Sequence, residues 1–161
     1  MAIPSAGNNT NWRFYPNITG TVYLNDGKKT LSGVTVAVAF NGGTSTGTDL
    51  VDKNGQYTIT NKNFTAGTLM SLWIDGATQR AATVTFGSGS NMTGVHLYTN
   101  RLIIMSNTGS TGNNTPITNG VLGIADNAQD KDLWDVYQVQ DNTLKVQHQR
   151  ELRIWPNSTY T

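Results

Sequence analysis

The chain has 161 residues, of which 37% are apolar and 13% charged, enough for a modest core in one ordinary domain or one small domain with an appendage. Eleven basic against ten acidic residues leave a net charge of +1, so no field draws in nucleic acid or an anionic membrane, and neither is expected as a partner. The absence of cysteine removes disulfides, thiolate metal sites and Cys nucleophiles, and leaves the redox compartment open.

Seventeen glycines and abundant Asn and Thr suit short strands joined by many turns and disfavour helices, which predicts an all-β protein. The opening MAIPSAGNNTN has no basic stretch followed by an apolar one, and nowhere do about 18 apolar residues run together, so neither a secretory leader nor a membrane insertion is read. Asn-x-Ser/Thr triplets are too easily supplied by this composition to carry weight.

Residues 1–18 read as an N-terminal strand or linker containing WRFYPN. From Gly20 a period of two begins, with Val22 and Leu24 on one face, and Asn25-Asp26-Gly27 signals a hairpin, because Asp-Gly tolerates the positive φ of a tight reversal. VTVAVAF sets Val34, Val36, Val38 and Phe40 on one face and small residues on the other. The polar NGGTSTGTDLV reads as a connection to the turn Asp52-Lys53-Asn54-Gly55, which delivers Tyr57 and Ile59 to a core. LMSLWID opposes Met70, Leu72 and Ile74 to Leu69 and Trp73; AATVTF and GVHLYTNRLIIMS add further strands through Ala82, Val84, Phe86, Val95, Leu97, Ile103 and Ile104. Residues 19–105 thus form a sandwich-sized set.

The Ser/Thr/Gly/Asn stretch 106–119 reads as a linker. Residues 120–161 read as a β-rich segment with one short helix around Ala128 to Trp134, then strands in VYQVQ, TLKVQHQ and ELRIWPN separated by tight turns such as Asp141-Asn142. The last of these returns the opening segment: WRFYPN at 12–17 and LRIWPN at 152–157 share Arg, an apolar residue, an aromatic, Pro and Asn at an offset of 140 residues. That echo suggests a slice of a repeat array, or a subunit whose ends are interchangeable, and either way assembly rather than catalysis.

The run GTVYLNDGKKTLSGVTVAVAFNGG followed by TDLVDKNGQYTIT resembles the carboxypeptidase regulatory-like and Cna-B-like domains of bacterial surface proteins. The resemblance covers roughly residues 19 to 100 and implies a transthyretin-like, immunoglobulin-like β-sandwich followed by the β-rich C-terminal extension, acting as a stalk, spacer or adhesion module at the cell surface or outside the cell. It covers architecture better than activity. Cna-B-like domains often carry a Lys–Asn crosslink whose Lys sits in the first strand; here that strand reads GTVYLND, and Glu151 is the one glutamate, so no isopeptide is expected. The C-terminal tail looks like the connecting segments of long surface repeat proteins.

With His96 and His148 the two histidines, both read as outward-facing strand residues, and with acids mainly in turns, no triad or carboxylate pair assembles and no enzyme is expected. Asp126, Asp130, Asp132 and Asp135 offer oxygen ligands for calcium, though their spacing is not that of an EF-hand, and a solvated acidic turn or helix cap explains them equally. No other cofactor is implied. Trp73 and Trp134 could stack a sugar ring as exposed tryptophans do in carbohydrate-binding sandwiches; packing is the competing reading. Trp12, Arg13, Phe14, Tyr15, Leu152, Arg153, Ile154 and Trp155 are the candidate junction residues of a non-enzymatic structural module whose partners are copies of itself or neighbouring modules. A carbohydrate-binding module is the alternative, and a regulatory domain of a peptidase a third.

Overall fold

The computed structural model describes residues 15–106, 115–126 and 130–161, and among them strands dominate, as expected. Eleven strands run in chain order: β1 (Ile18–Tyr23), β2 (Thr35–Phe40), β3 (Ser45–Leu50), β4 (Gln56–Ile59), β5 (Ala66–Asp75), β6 (Ala82–Ser88), β7 (Leu97–Tyr98), β8 (Arg101–Met105), β9 (Tyr137–Gln140), β10 (Thr143–Val146) and β11 (Glu151–Ile154), with helices α1 (Asn119–Ala125) and α2 (Lys131–Trp134) between β8 and β9.

Six strands form one mixed sheet in the order β11-β8-β6-β5-β2-β3, and β4-β1-β7 form a smaller one. The alternation in β2 and β5 sorts side chains between two cores. Val36, Val38, Met70, Leu72 and Ile74 meet Ile18, Val22, Tyr57, Ile59 and Leu97 of the smaller sheet and Val95 just before β7. The opposite face, Ala37, Ala39, Leu69, Trp73, Ala82, Val84, Leu102 and Ile104, is covered by Ile117, Leu122, Ala125, Leu133, Val136 and Tyr137. The molecule is therefore three layers: small sheet, large sheet, and a cap of two helices with the β9–β10 hairpin.

This arrangement corrects several expectations. The segment 120–161 does not stand apart from 19–105, because its helices cover the large sheet and its last strand pairs in parallel with β8, Glu151 opposite Arg101 through Ile154 opposite Ile104. The stretch read as a linker, 106–119, ends inside the cap: Ile117 is fully buried and Thr118 N-caps α1, its side chain accepting the Val121 N–H. The helix α1 carries no helical signal in the sequence because Gly120 and Gly123 lie inside it; a Cβ at Gly123 would stand 3.5 Å from Val139, an ordinary contact, so helix and hairpin pack here without requiring glycine. The helix expected around Ala128 to Trp134 is the single turn α2, and residues 128 and 129 lie outside the described set. The polar connection NGGTSTGTDLV contains β3, an edge strand with mostly exposed side chains and hence no hydrophobic period to read. Finally, Asn25-Asp26-Gly27 does close a tight reversal, Asp26 accepting the Lys28 and Lys29 N–H groups and residues 22–24 pairing antiparallel with 29–31 through Leu24 N–H on the Lys29 carbonyl and Leu31 N–H on the Val22 carbonyl, but the chain then crosses to the large sheet, so β2 is not the returning arm.

The N-terminal boundary also moves. Lys62 N–H donates to the Pro16 carbonyl, and Asn17 exchanges bonds with Met92, Asn91 and Asn61, so Pro16 and Asn17 belong to the body and Ile18 is fully buried. Next along β1, Gly20 lies against the Val95 carbonyl and the Tyr57 ring: a Cβ there would overlap the Val95 oxygen and stand 2.8 Å from Tyr57. The Tyr57 hydroxyl donates to that same carbonyl. Gly33, by contrast, has φ +73° and open space around it. Gly33→Ala should therefore lose only the left-handed penalty of about 1 kcal/mol, whereas Gly20→Ala should lose more than about 2 kcal/mol through overpacking, read as urea midpoints. Equal losses would refute the close approach.

Candidate functional site

Three features of the surface carry chemistry. The first is β11. Its residues alternate, Glu151 and Trp155 donating their N–H groups to Asn100 and Ile104 of the β8 side, which leaves the backbone groups of Leu152 and Ile154 facing outward at the sheet edge. The side chains of Leu152 and Ile154 are 37% and 43% exposed, and Arg153 is exposed as well. Trp155 is turned inward and half-buried, its ring 6.1 Å from His96 and 6.0 Å from Tyr98, which stacks on Tyr23 at 5.0 Å. Arg101 completes the anchorage: its guanidinium lies 5.7 Å over Tyr98, donates to the Asn25 carbonyl and pairs with Glu151 at 3.2 Å.

The opposite edge is closed differently. β3 has a bulge against β2 between Val38 and Ala39, Lys62 reaches across to the Thr46 carbonyl at 2.9 Å, and Asp49 accepts the Thr58 N–H. Such devices blunt an edge; among the described residues β11 has none beyond its short length and its charges. Of the expected junction residues, Leu152, Arg153, Ile154 and Trp155 thus share this edge. Tyr15 is exposed, and Trp12, Arg13 and Phe14 lie outside the described residues. The echo is local: Asn17 leads into β1, whereas Asn157 turns at φ +61°.

The second feature is the acidic segment. The expected calcium set does not converge. Asp126 accepts the Val139 N–H, and burial pushes its carboxyl above the usual range. Asp135 binds Lys131 at 2.7 Å and Arg80 at 3.1 Å, and these bonds, led by Lys131, hold it below that range. Asp130 N-caps α2, and Asp132 pairs with Arg80 at 2.8 Å. Asp130 and Asp132 instead meet Asp75, with one ligand oxygen from each within 4.8 Å of the others; burial and then the two neighbouring acids push Asp75 upward. Three oxygens, one of them engaged by Arg80, fall short of the six to eight that calcium takes. Asp75 carried no signal in the sequence, since it meets the others only through the fold.

The third feature is a polar groove of about 570 Å³ between α2, β9 and the turn after β10, with Trp134 and Gln138 on one side and Gln147, His148 and Arg150 on the other. Trp134 is 37% exposed, its indole N–H donating to the Asp126 carbonyl at 2.6 Å. Trp73 is fully buried in the second core and offers no platform for a sugar. Of the two histidines, His148 is exposed in a turn. His96 is half-buried: its Nδ1 accepts the Thr21 N–H at 3.1 Å, and its ring makes an edge contact with Tyr23 at 5.4 Å. Comparison with protein-family models, curated proteins and solved structures finds no match for this chain.

Burial holds His96 below the ordinary imidazole value. The unfolded chain then binds the extra proton more readily, so this contribution to stability is present above the unfolded value and lost as pH falls through the folded one. The urea midpoint should fall between about pH 7.5 and about pH 5.5, and fall less in His96→Gln. An equal fall in both proteins would remove His96 as the cause.

Proposed function

We propose that this protein is a non-enzymatic structural and adhesive module, extracellular or at the cell surface, that assembles through the free edge of β11. The observation that carries the reading is an open sheet edge with two half-exposed apolar side chains, Leu152 and Ile154, on the strand whose sequence is echoed at residues 12–15. A segment of apolar, Arg, apolar and aromatic residues already suits a parallel place in this sheet, as LRIW does beside β8. In the proposed assembly the WRFY segment of one copy adds to β11 of the next by strand augmentation, a heterologous contact that propagates head to tail. Two sheets packed across one core agree with the immunoglobulin-like, transthyretin-like part of the reading, and the cap on the outer face is an elaboration of it.

The test is light scattering over a concentration series with negative-stain electron microscopy. The truncation should remove residues 1–14, because a cut after residue 18 would take buried Ile18 with it. The full chain should form fibres with a regular axial repeat. Removing 1–14, or introducing Leu152→Lys with Ile154→Lys, should return a folded monomer. A full chain that stays monomeric at every concentration overturns the assembly.

A further inference from the structure

We infer that the Trp134 groove is a binding site for an acidic saccharide, one bearing ring carboxylates of the uronic acid kind. The inference is independent of the assembly edge. Four elements build the groove: Arg80 from the β5–β6 turn, Trp134 from α2, Gln138 from β9, and Gln147, His148 and Arg150 from the turn between β10 and β11. That turn is held closed by the Arg150 N–H on the Gln147 carbonyl at 3.0 Å, with Gln149 at φ +63°. A non-glycine residue in the left-handed region marks a conformation held by its surroundings. Here it sets Gln147, His148 and Arg150 along one wall.

The chemistry of the walls selects the ligand. With its N–H already tied to Asp126, the Trp134 indole has no polar atom left to offer and presents ring carbon, which suits the C–H face of a pyranose. The amides of Gln138 and Gln147 and the imidazole of His148 each offer donors and acceptors for vicinal hydroxyls. A volume of about 570 Å³ lies within the roughly 300–1,000 Å³ of small-molecule sites, and a lining made mostly of amide, imidazole and charged side chains disfavours a lipid or a hydrophobic peptide.

Charge makes the choice of an acidic sugar. Arg80 and Lys131 are neutralised by Asp132 and Asp135. Arg150 lines the groove and has no carboxylate partner among the described residues. A ligand carboxylate supplies that partner, with the planar geometry that arginine matches and lysine does not.

The experiment is titration of the full chain, followed by tryptophan fluorescence and calorimetry, with hexagalacturonate, maltohexaose and dextran sulfate. Hexagalacturonate should bind at least about tenfold more tightly than the neutral hexamer and change the fluorescence. Trp134→Phe should abolish that fluorescence change and reduce affinity. Arg150→Lys, which keeps the charge, should still weaken hexagalacturonate about tenfold while leaving maltohexaose unchanged. His148→Ala, at an exposed turn position, serves as the variant least able to disturb the fold and should also weaken binding. Equal affinity for the acidic and neutral hexamers overturns the inference. So does binding of dextran sulfate as tight as hexagalacturonate and indifferent to Trp134 and Arg150, which would reduce the groove to a diffuse basic surface.

Discussion

Strand β5 carries six consecutive buried side chains, Leu69 to Ile74, and a strand can do so only where both faces of its sheet are covered. Every larger feature of the molecule answers that requirement. On one side Met70, Leu72 and Ile74 need the smaller sheet, so the chain leaves β1 through a crossover and returns in β7 to complete it. On the other side Trp73 needs a lid. Ala37 lies opposite Trp73 in the ladder, and the two small residues of β2 that face this core, Ala37 and Ala39, leave room for the indole while α1, α2 and Tyr137 close over it. Truncating a buried Trp to Ala typically costs about 3–5 kcal/mol, so the lid and the sheet stabilise each other strongly through this one residue.

That two-sided burial also explains which parts of the architecture were legible from the residues. Period-two strands with turns at their ends, β1, β2, β4, β5 and β6, are visible because their alternation is strong and Asp-Gly or Asn-Gly punctuates them. The function of the second face is not, because small residues opposite a Val stripe look the same whether they face water or a tryptophan. β3 is silent for the converse reason, being an edge strand with no buried stripe. β7 and β8 merge into one run in the sequence, and Asn100 at φ +63° breaks them, a left-handed position that Asn accepts readily. α1 is hidden by its glycines, which disfavour a helix locally, and forms because Leu122 and Ala125 are buried over the large sheet.

The candidate sites divide along the same line. The candidate junction residues of β11 stand out in the sequence because the echo is a property of the string itself. The Asp75, Asp130 and Asp132 cluster, the ring of Tyr23, His96, Tyr98 and Trp155, and the wall of the Trp134 groove were not, since each draws on elements tens of residues apart in sequence. Segment order carries no record of which turns meet. What the sequence did offer at Trp134 was an aromatic in a polar setting, and the fold distinguishes it from Trp73 by leaving one in the groove and sealing the other in the core.

β11 is attached in a way that differs from every other strand of the large sheet. All four of its side chains are exposed, so its place depends on ladder bonds to β8, on the Arg101–Glu151 pair, and on Trp155 held among His96 and Tyr98. Exposed ion pairs contribute little, which leaves as anchors Trp155 and the segment after it, where Ser158 Oγ accepts the Ser106 N–H, Thr159 and Thr161 bond to Ile117, and Tyr160 packs against the second core. WRFYPN carries an aromatic at the position of Trp155, after the same Arg and an apolar residue. A strand of that pattern added outside β11, as in the proposed assembly, would draw on the same kinds of contact, ladder bonds and one aromatic at the end, and would need no change in the two cores.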